Sequence, residues 1–115
     1  MRKFLFFLVF ANWVLTLILP GRIMAAPTTN EYVITIQDHS FSPVELKIPA
    51  NQKVKLRIEN HDHTPEEFES YELKREKVVT GHGTITLYIG PLKPGAYKYF
   101  GEFNPKTAQG IIIAE

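Results

Sequence analysis

The 115-residue chain carries 13 Lys/Arg, 12 Asp/Glu and no cysteine, which excludes disulfides, thiolate metal ligands and cysteine nucleophiles. Its formal charge of +1 leaves no basic stripe of the kind that releases counterions from nucleic acid, so nucleic-acid binding is not expected. Without its N-terminal segment the chain has the length of one small domain, which buries roughly 60 to 65 per cent of its unfolded surface, enough for one core and too little for two.

At the N-terminus, Arg2 and Lys3 precede an apolar run from Phe4 to Leu19, followed by Pro20, Gly21 and the small-residue stretch Met24-Ala25-Ala26. That order of charge, apolar core and small residues predicts a signal peptide over residues 1–25 and an exported domain over 26–115. Cleavage is expected after Ala25, because a cut after Ala26 would leave Pro27 first. The alternative is an uncleaved membrane anchor, but the run is broken by Asn12 and falls short of the roughly 20 residues a bilayer-spanning helix needs. Contact with a membrane is therefore expected only through export or an uncleaved N-terminus, and the expected location is the periplasm, or the medium where there is no outer membrane. Without Arg2, Lys3 and Arg22 the exported part carries ten Lys/Arg against twelve Asp/Glu, a formal 10 − 12 = −2.

After the lead-in Pro27 to Asn30, the β-branched and aromatic run Tyr32-Val33-Ile34-Thr35-Ile36 predicts a first strand over Glu31 to Gln37. Asp38-His39-Ser40 turns the chain, and Phe41 to Ile48 alternates Val44, Leu46 and Ile48 against Glu45 and Lys47. A third strand, Val54 to Asn60, alternates Val54, Leu56 and Ile58 with charged residues. The polar segment His61 to Glu66 reads as a loop, and Glu67 to Leu73 as a short strand. Lys74 to Lys77 reads as a solvated hairpin end. Further strands are expected at Val78-Val79, Thr84 to Ile89, Ala96 to Phe103 and Ile111 to Ala114, separated by Gly and Pro. Seven or eight short strands without a helical period predict an all-β fold, two packed antiparallel sheets joined as a Greek-key sandwich.

Phe41-Ser42-Pro43, Leu46-Lys47-Ile48-Pro49-Ala50, Val54 to Asn60 and Leu92-Lys93-Pro94-Gly95-Ala96-Tyr97 occur in an order that resembles the cupredoxin-like family, over essentially the whole exported part. The resemblance implies a corner tyrosine at Tyr97, its ring in the sandwich and its hydroxyl on backbone. It also implies a copper site of one early His and a later Cys, His and Met. Those positions are occupied here by Glu67, Gly101, Asn104 and about Thr107, so a type 1 (blue) copper centre is not expected. Thr64-Pro65-Glu66-Glu67-Phe68-Glu69-Ser70 and the segment Gly101 to Gly110 look instead like the cupredoxin-like domains of EfeO-type periplasmic iron-uptake proteins and of the small cupredoxins found beside FTR1-type iron permeases. That resemblance implies a ferric or cupric role in iron acquisition, with an FTR1-type permease complex as a partner.

Read from the residues alone, an extended Glu67 to Ser70 puts Glu67 and Glu69 on one face and Phe68 on the other. The fold that the resemblance implies sets Glu102 beside them, where it would complete a three-carboxylate pocket whose hard oxygens suit Fe(III) or divalent metals. His61 and His63, spaced His-x-His in the preceding loop, are candidate ligands that extend the choice to Cu(II), although simple solvation is the commoner explanation of an exposed loop His. The series Glu66, Glu67, Glu69, Glu72 has an alternative reading as a charged outer face that keeps a sheet edge soluble. There is no nucleophile elbow, no His-Glu-x-x-His and no phosphate loop, so an enzyme is not expected. The expectation is an exported metal-binding accessory of iron uptake. The alternative is a metal-free protein-interaction sandwich, in which Phe41, Tyr99, Phe100 and Phe103 would form an exposed patch. An electron carrier is a third reading that rests on the fold alone.

Overall fold

The structure, a computed structural model, describes residues 30–115. The expected signal peptide and its cleavage site lie outside the described residues. Among these, nine strands and no helix form the fold: β1 (Glu31–Gln37), β2 (Ser40–Ser42), β3 (Glu45–Ile48), β4 (Val54–Asn60), β5 (Glu66–Ser70), β6 (Arg75–Val79), β7 (Thr84–Ile89), β8 (Gly95–Phe100) and β9 (Gln109–Ala114). They make a four-stranded sheet, β2-β1-β4-β7, and a five-stranded sheet, β3-β9-β8-β5-β6. The two sheets enclose one core of alternating inward residues, as in an all-β sandwich.

The structure departs from the expected elements where a strand changes sheet or a pairing partner is distant. Phe41 to Ile48 is two strands: Pro43 has no N–H for the ladder, so β2 ends at Ser42 on one sheet and β3 begins at Glu45 on the other. The sheets are mixed rather than antiparallel, because β1 runs parallel to β4 and β3 parallel to β9. β5 begins at Glu66 and ends at Ser70, earlier than expected at both ends. Arg75 to Lys77 belongs to β6, an edge strand exposed along most of its length. β8 stops at Phe100, leaving Glu102 in the turn that follows.

Phe68 on β5, Tyr99 on β8 and Phe41 on β2 meet at the centre, with ring centroids 5.0 Å (Phe68 to Tyr99), 5.1 Å (Phe41 to Tyr99) and 6.4 Å (Phe41 to Phe68) apart. Edge-on and tilted ring pairs of this kind add to the free energy of burial. Tyr97 makes the expected corner contact, its hydroxyl donating to the Lys93 carbonyl at 2.7 Å. Gly110 on β9 lies directly under the Tyr99 ring, and any Cβ there would overlap it. Gly110→Ala is therefore expected to destabilise the domain by about 1–3 kcal/mol, the usual cost of forcing bulk into a packed core, as read from urea unfolding.

Candidate metal centre

Pairing brings carboxylates together at one place on the five-stranded sheet. Phe68 is fully buried, and alternation along β5 sends Glu67 and Glu69 to the opposite face. Antiparallel pairing of β5 with β6 sets Glu69 directly opposite Glu76, and β5 meets β8 at Glu69 and Phe100, next to the turn that carries Glu102. Glu67, Glu69, Glu76 and Glu102 each offer one oxygen, and all four oxygens lie within 4.8 Å of one another.

Two opposed oxygens around a cation at 2.0–2.6 Å are about 4 to 5 Å apart, so this spacing admits a single ion. The four donors are hard oxygens without nitrogen or sulfur, a set suited to Fe(III), Mn(II), Cu(II) or other oxygen-preferring cations. The group is graded in burial, with Glu67 only 3% exposed, Glu69 half-buried, and Glu76 and Glu102 exposed.

Glu67 Oε1 is buried and has no hydrogen-bond donor. Its neighbours are carboxylates, and one ionised carboxylate has no hydrogen to offer another. A shared proton, a bound water or a cation satisfies that oxygen, and of these the cation also offsets the charge of the surrounding carboxylates. The pKa follows: a hydrogen bond shared with Glu102, then burial, then contacts with Glu76 and Glu69, push the Glu67 carboxyl up to about 8. Burial, followed by the charges of Glu102 and Glu76, also raises Glu69.

Glu66 and Glu67 are both buried, which corrects the reading of the Glu66 to Glu72 series as one solvated outer face. The structure brings together Glu67, Glu69 and Glu102 and adds Glu76, but leaves both histidines out of this group. His61 Nε2 lies 3.4 Å from Glu59 Oε2, beyond the end of β4 in the other sheet. His63 lines a separate recess with Asp38, His39, Asp62 and Thr64. The reason is Asn60, whose buried side chain donates to the carbonyls of Thr64, Val79 and Thr80 and so fixes the path of the loop. The amides of His39 and Asp38 donate to Asp62 and hold its carboxyl below the ordinary range despite partial burial.

Glu76 was accessible to sequence reasoning only through register: a hairpin turning at Tyr71 to Lys74 places residue 76 opposite residue 69. Of the four aromatic residues of the interaction-patch reading, Phe41 and Tyr99 are buried in the core and Phe103 is 49% exposed. A cleft of about 500 Å³ lined by Val44, Tyr99, Phe100, Pro105 and Ile111 among others contains none of the four carboxylates.

Compared with known proteins, the chain matches the cupredoxin-like domain family over residues 4–114. It is 51% identical over 83 residues to an uncharacterized protein of Rickettsia prowazekii (strain Madrid E), covering 72% of this chain and 66% of that protein, so the chain spans just under two thirds of that relative's length. Among solved structures it resembles auracyanin A, a "blue" copper protein from Chloroflexus aurantiacus, with a TM-score of 0.63 at 13% identity over 74% of this chain and 98% of that one. It also resembles a purple cupredoxin from Nitrosopumilus maritimus, with a TM-score of 0.56 at 18% identity over 75% and 99% of the two chains. At these identities the structural likeness concerns the fold.

The carboxylate group makes stability depend on pH. Glu67 holds its proton up to about 8 when folded and to 4.5 in its ordinary state, so between these values the native state binds more protons than the unfolded one. Stability is then fully present below the lower value and falls as pH rises through the window; Glu69 acts in the same sense. In metal-free protein the melting temperature is expected to fall from pH 4.5 to about 8, and Glu67→Gln, which needs no proton, is expected to flatten that fall in a differential scanning calorimetry series.

Proposed function

The chain belongs to the cupredoxin-like domain family, and from that premise we propose that it is an exported metal-handling protein that carries a metal cation, Fe(III) or Cu(II), on Glu67, Glu69, Glu76 and Glu102. The observation that carries this reading is the buried Glu67 carboxyl group, which has one oxygen, Oε1, without a donor and which stands in a group with three further carboxylates. A cation entering the group replaces mutual repulsion by attraction to four oxygens and supplies the partner that Oε1 lacks. The fold family supports metal binding in general. The chain has no cysteine, and a blue-copper site requires that thiolate.

In this reading Glu67 is the anchoring ligand, and the exposed Glu76 and Glu102 are the oxygens through which the ion enters and leaves. An open, carboxylate-lined site suits capture and hand-over rather than catalysis. The reading extends to iron uptake in the periplasm beside an FTR1-type permease, and its support is that the segments Thr64 to Ser70 and Gly101 to Gly110 resemble those of EfeO-type proteins and residues 1–25 have the pattern of an export signal. The protein-interaction alternative loses its main support, since two of its four rings are part of the core.

Calorimetric titration of the metal-free domain with Cu(II), Mn(II) and chelated Fe(III) tests the assignment. Saturable one-to-one binding is expected for at least one of them, and the double variant Glu67→Gln, Glu69→Gln is expected to lose it while keeping its β-sheet circular dichroism. Absence of binding in the unaltered protein, or undiminished binding in the variant, refutes the site.

A further inference from the structure

One carboxylate stands behind the cluster rather than in it. Glu66 is 1% exposed and its charge is held by three donors. Its Oε1 accepts from the amide of Glu67 at 2.9 Å and from the amide of Phe103 at 3.0 Å, and its Oε2 accepts from Asn104 Nδ2 at 2.7 Å. The first amide belongs to the buried candidate ligand. The second belongs to the residue following the candidate ligand Glu102. A single oxygen thus holds the backbones on which two of the four site carboxylates are mounted.

Packing reinforces the tie. A Cβ on Gly101 would lie 2.6 Å from the Glu66 carboxyl carbon, so the turn after β8 seats directly on that group. Within the turn, Gly101 and Asn104 bond to Ala108 and to each other through backbone; these bonds shape it, whereas the bonds to Glu66 attach it to β5. A buried carboxylate is tolerated only with such donors, because desolvating it without them is costly.

We propose that Glu66 is the positioning residue of the carboxylate site: it locks Glu102 at a set distance from Glu67, so that an incoming cation meets oxygens already in place. The inference rests on the metal-binding reading above. A preformed oxygen set selects by cation size, since Mn(II) and Ca(II) differ in bond length and coordination number, and residues that orient ligands typically change metal affinity about 10- to 100-fold when altered.

The test compares Glu66→Asp, Glu66→Gln and Asn104→Ala with the unaltered domain, titrated with Mn(II) and with Ca(II) and checked for folding by thermal melting. Aspartate keeps the charge but is one methylene too short to reach the turn. Glutamine keeps the reach, its oxygen taking both amides while the Asn104 side-chain amide turns over to accept from its nitrogen. Positioning predicts that Glu66→Asp loses about 10- to 100-fold in Mn(II) affinity and narrows the Mn(II)/Ca(II) preference, while Glu66→Gln stays within about five-fold. If Glu66→Asp does not fold, Asn104→Ala, which keeps the turn's backbone bonds, is expected to lower Mn(II) affinity several-fold and to narrow the same preference. A Glu66→Gln loss exceeding that of Glu66→Asp identifies a through-space charge effect and overturns the proposal. So does an unchanged Mn(II)/Ca(II) preference in Glu66→Asp, or in Asn104→Ala where it stands in. Failure of the unaltered domain to bind Mn(II), Cu(II) or Fe(III) removes the metal reading itself, and the proposal with it.

Discussion

Phe68 packs against Tyr99 and Phe41, and that contact determines where the charges go. A strand offers its two faces alternately, so driving Phe68 into the core commits Glu67 and Glu69 to the other face. Burial of a large aromatic ring is worth several kcal/mol, about 3–5 by the usual cost of its removal. Repulsion between carboxylates open to water and salt is screened and is weaker than that. The core therefore imposes an arrangement of like charges that those charges would not adopt by themselves. Glu69 and Glu76, directly opposite across β5 and β6, are the plainest instance, since like charges at facing positions weaken a sheet.

Much of this was legible in the sequence wherever information is local. β-branched and aromatic composition located β1, the flanking Gly and Pro residues set off β7, and alternation located β4, where one wet face and one buried face leave a period of two. The pairing of Glu67 and Glu69 on one face followed from the same rule. What alternation does not contain is which strand lies beside which. Glu76 enters the site through the β5–β6 register, and the parallel partners of β1 and β3 are distant in sequence, so the reading of wholly antiparallel sheets missed them. Pro43 was visible as a residue without an N–H, but the transfer of the chain from one sheet to the other at that point depends on the packing of both. His61 and His63 follow Asn60 closely in sequence, yet the hydrogen bonds of Asn60 decide where their loop runs.

The fold is shared with a "blue" copper protein and a purple cupredoxin at 13% and 18% identity, so it persists through extensive change of sequence. Side chains at the strand ends and in the turns can be exchanged while the inward residues keep the sheets together. Here the exchange goes to carboxylates, one of which, Glu66, serves the architecture as an acceptor for the turn that follows β8. A charged group in the interior is thereby made part of the scaffold by the backbone amides around it.

The parallel pairing of β3 with β9 bears on how the chain folds. Residues 45–48 find their ladder partners only at residues 111–114, and the pairing is extended by the bonds between Ala50 and Glu115 and between Glu115 and Ile48. Closing so long a loop carries an entropic cost before any contact repays it, and such topologies fold slowly. Before residues 109–114 pair, β3 lacks its ladder partner and one edge of β8 lacks a neighbour. Assembly of the five-stranded sheet thus waits until residues 109–114 are available to pair with both β3 and β8.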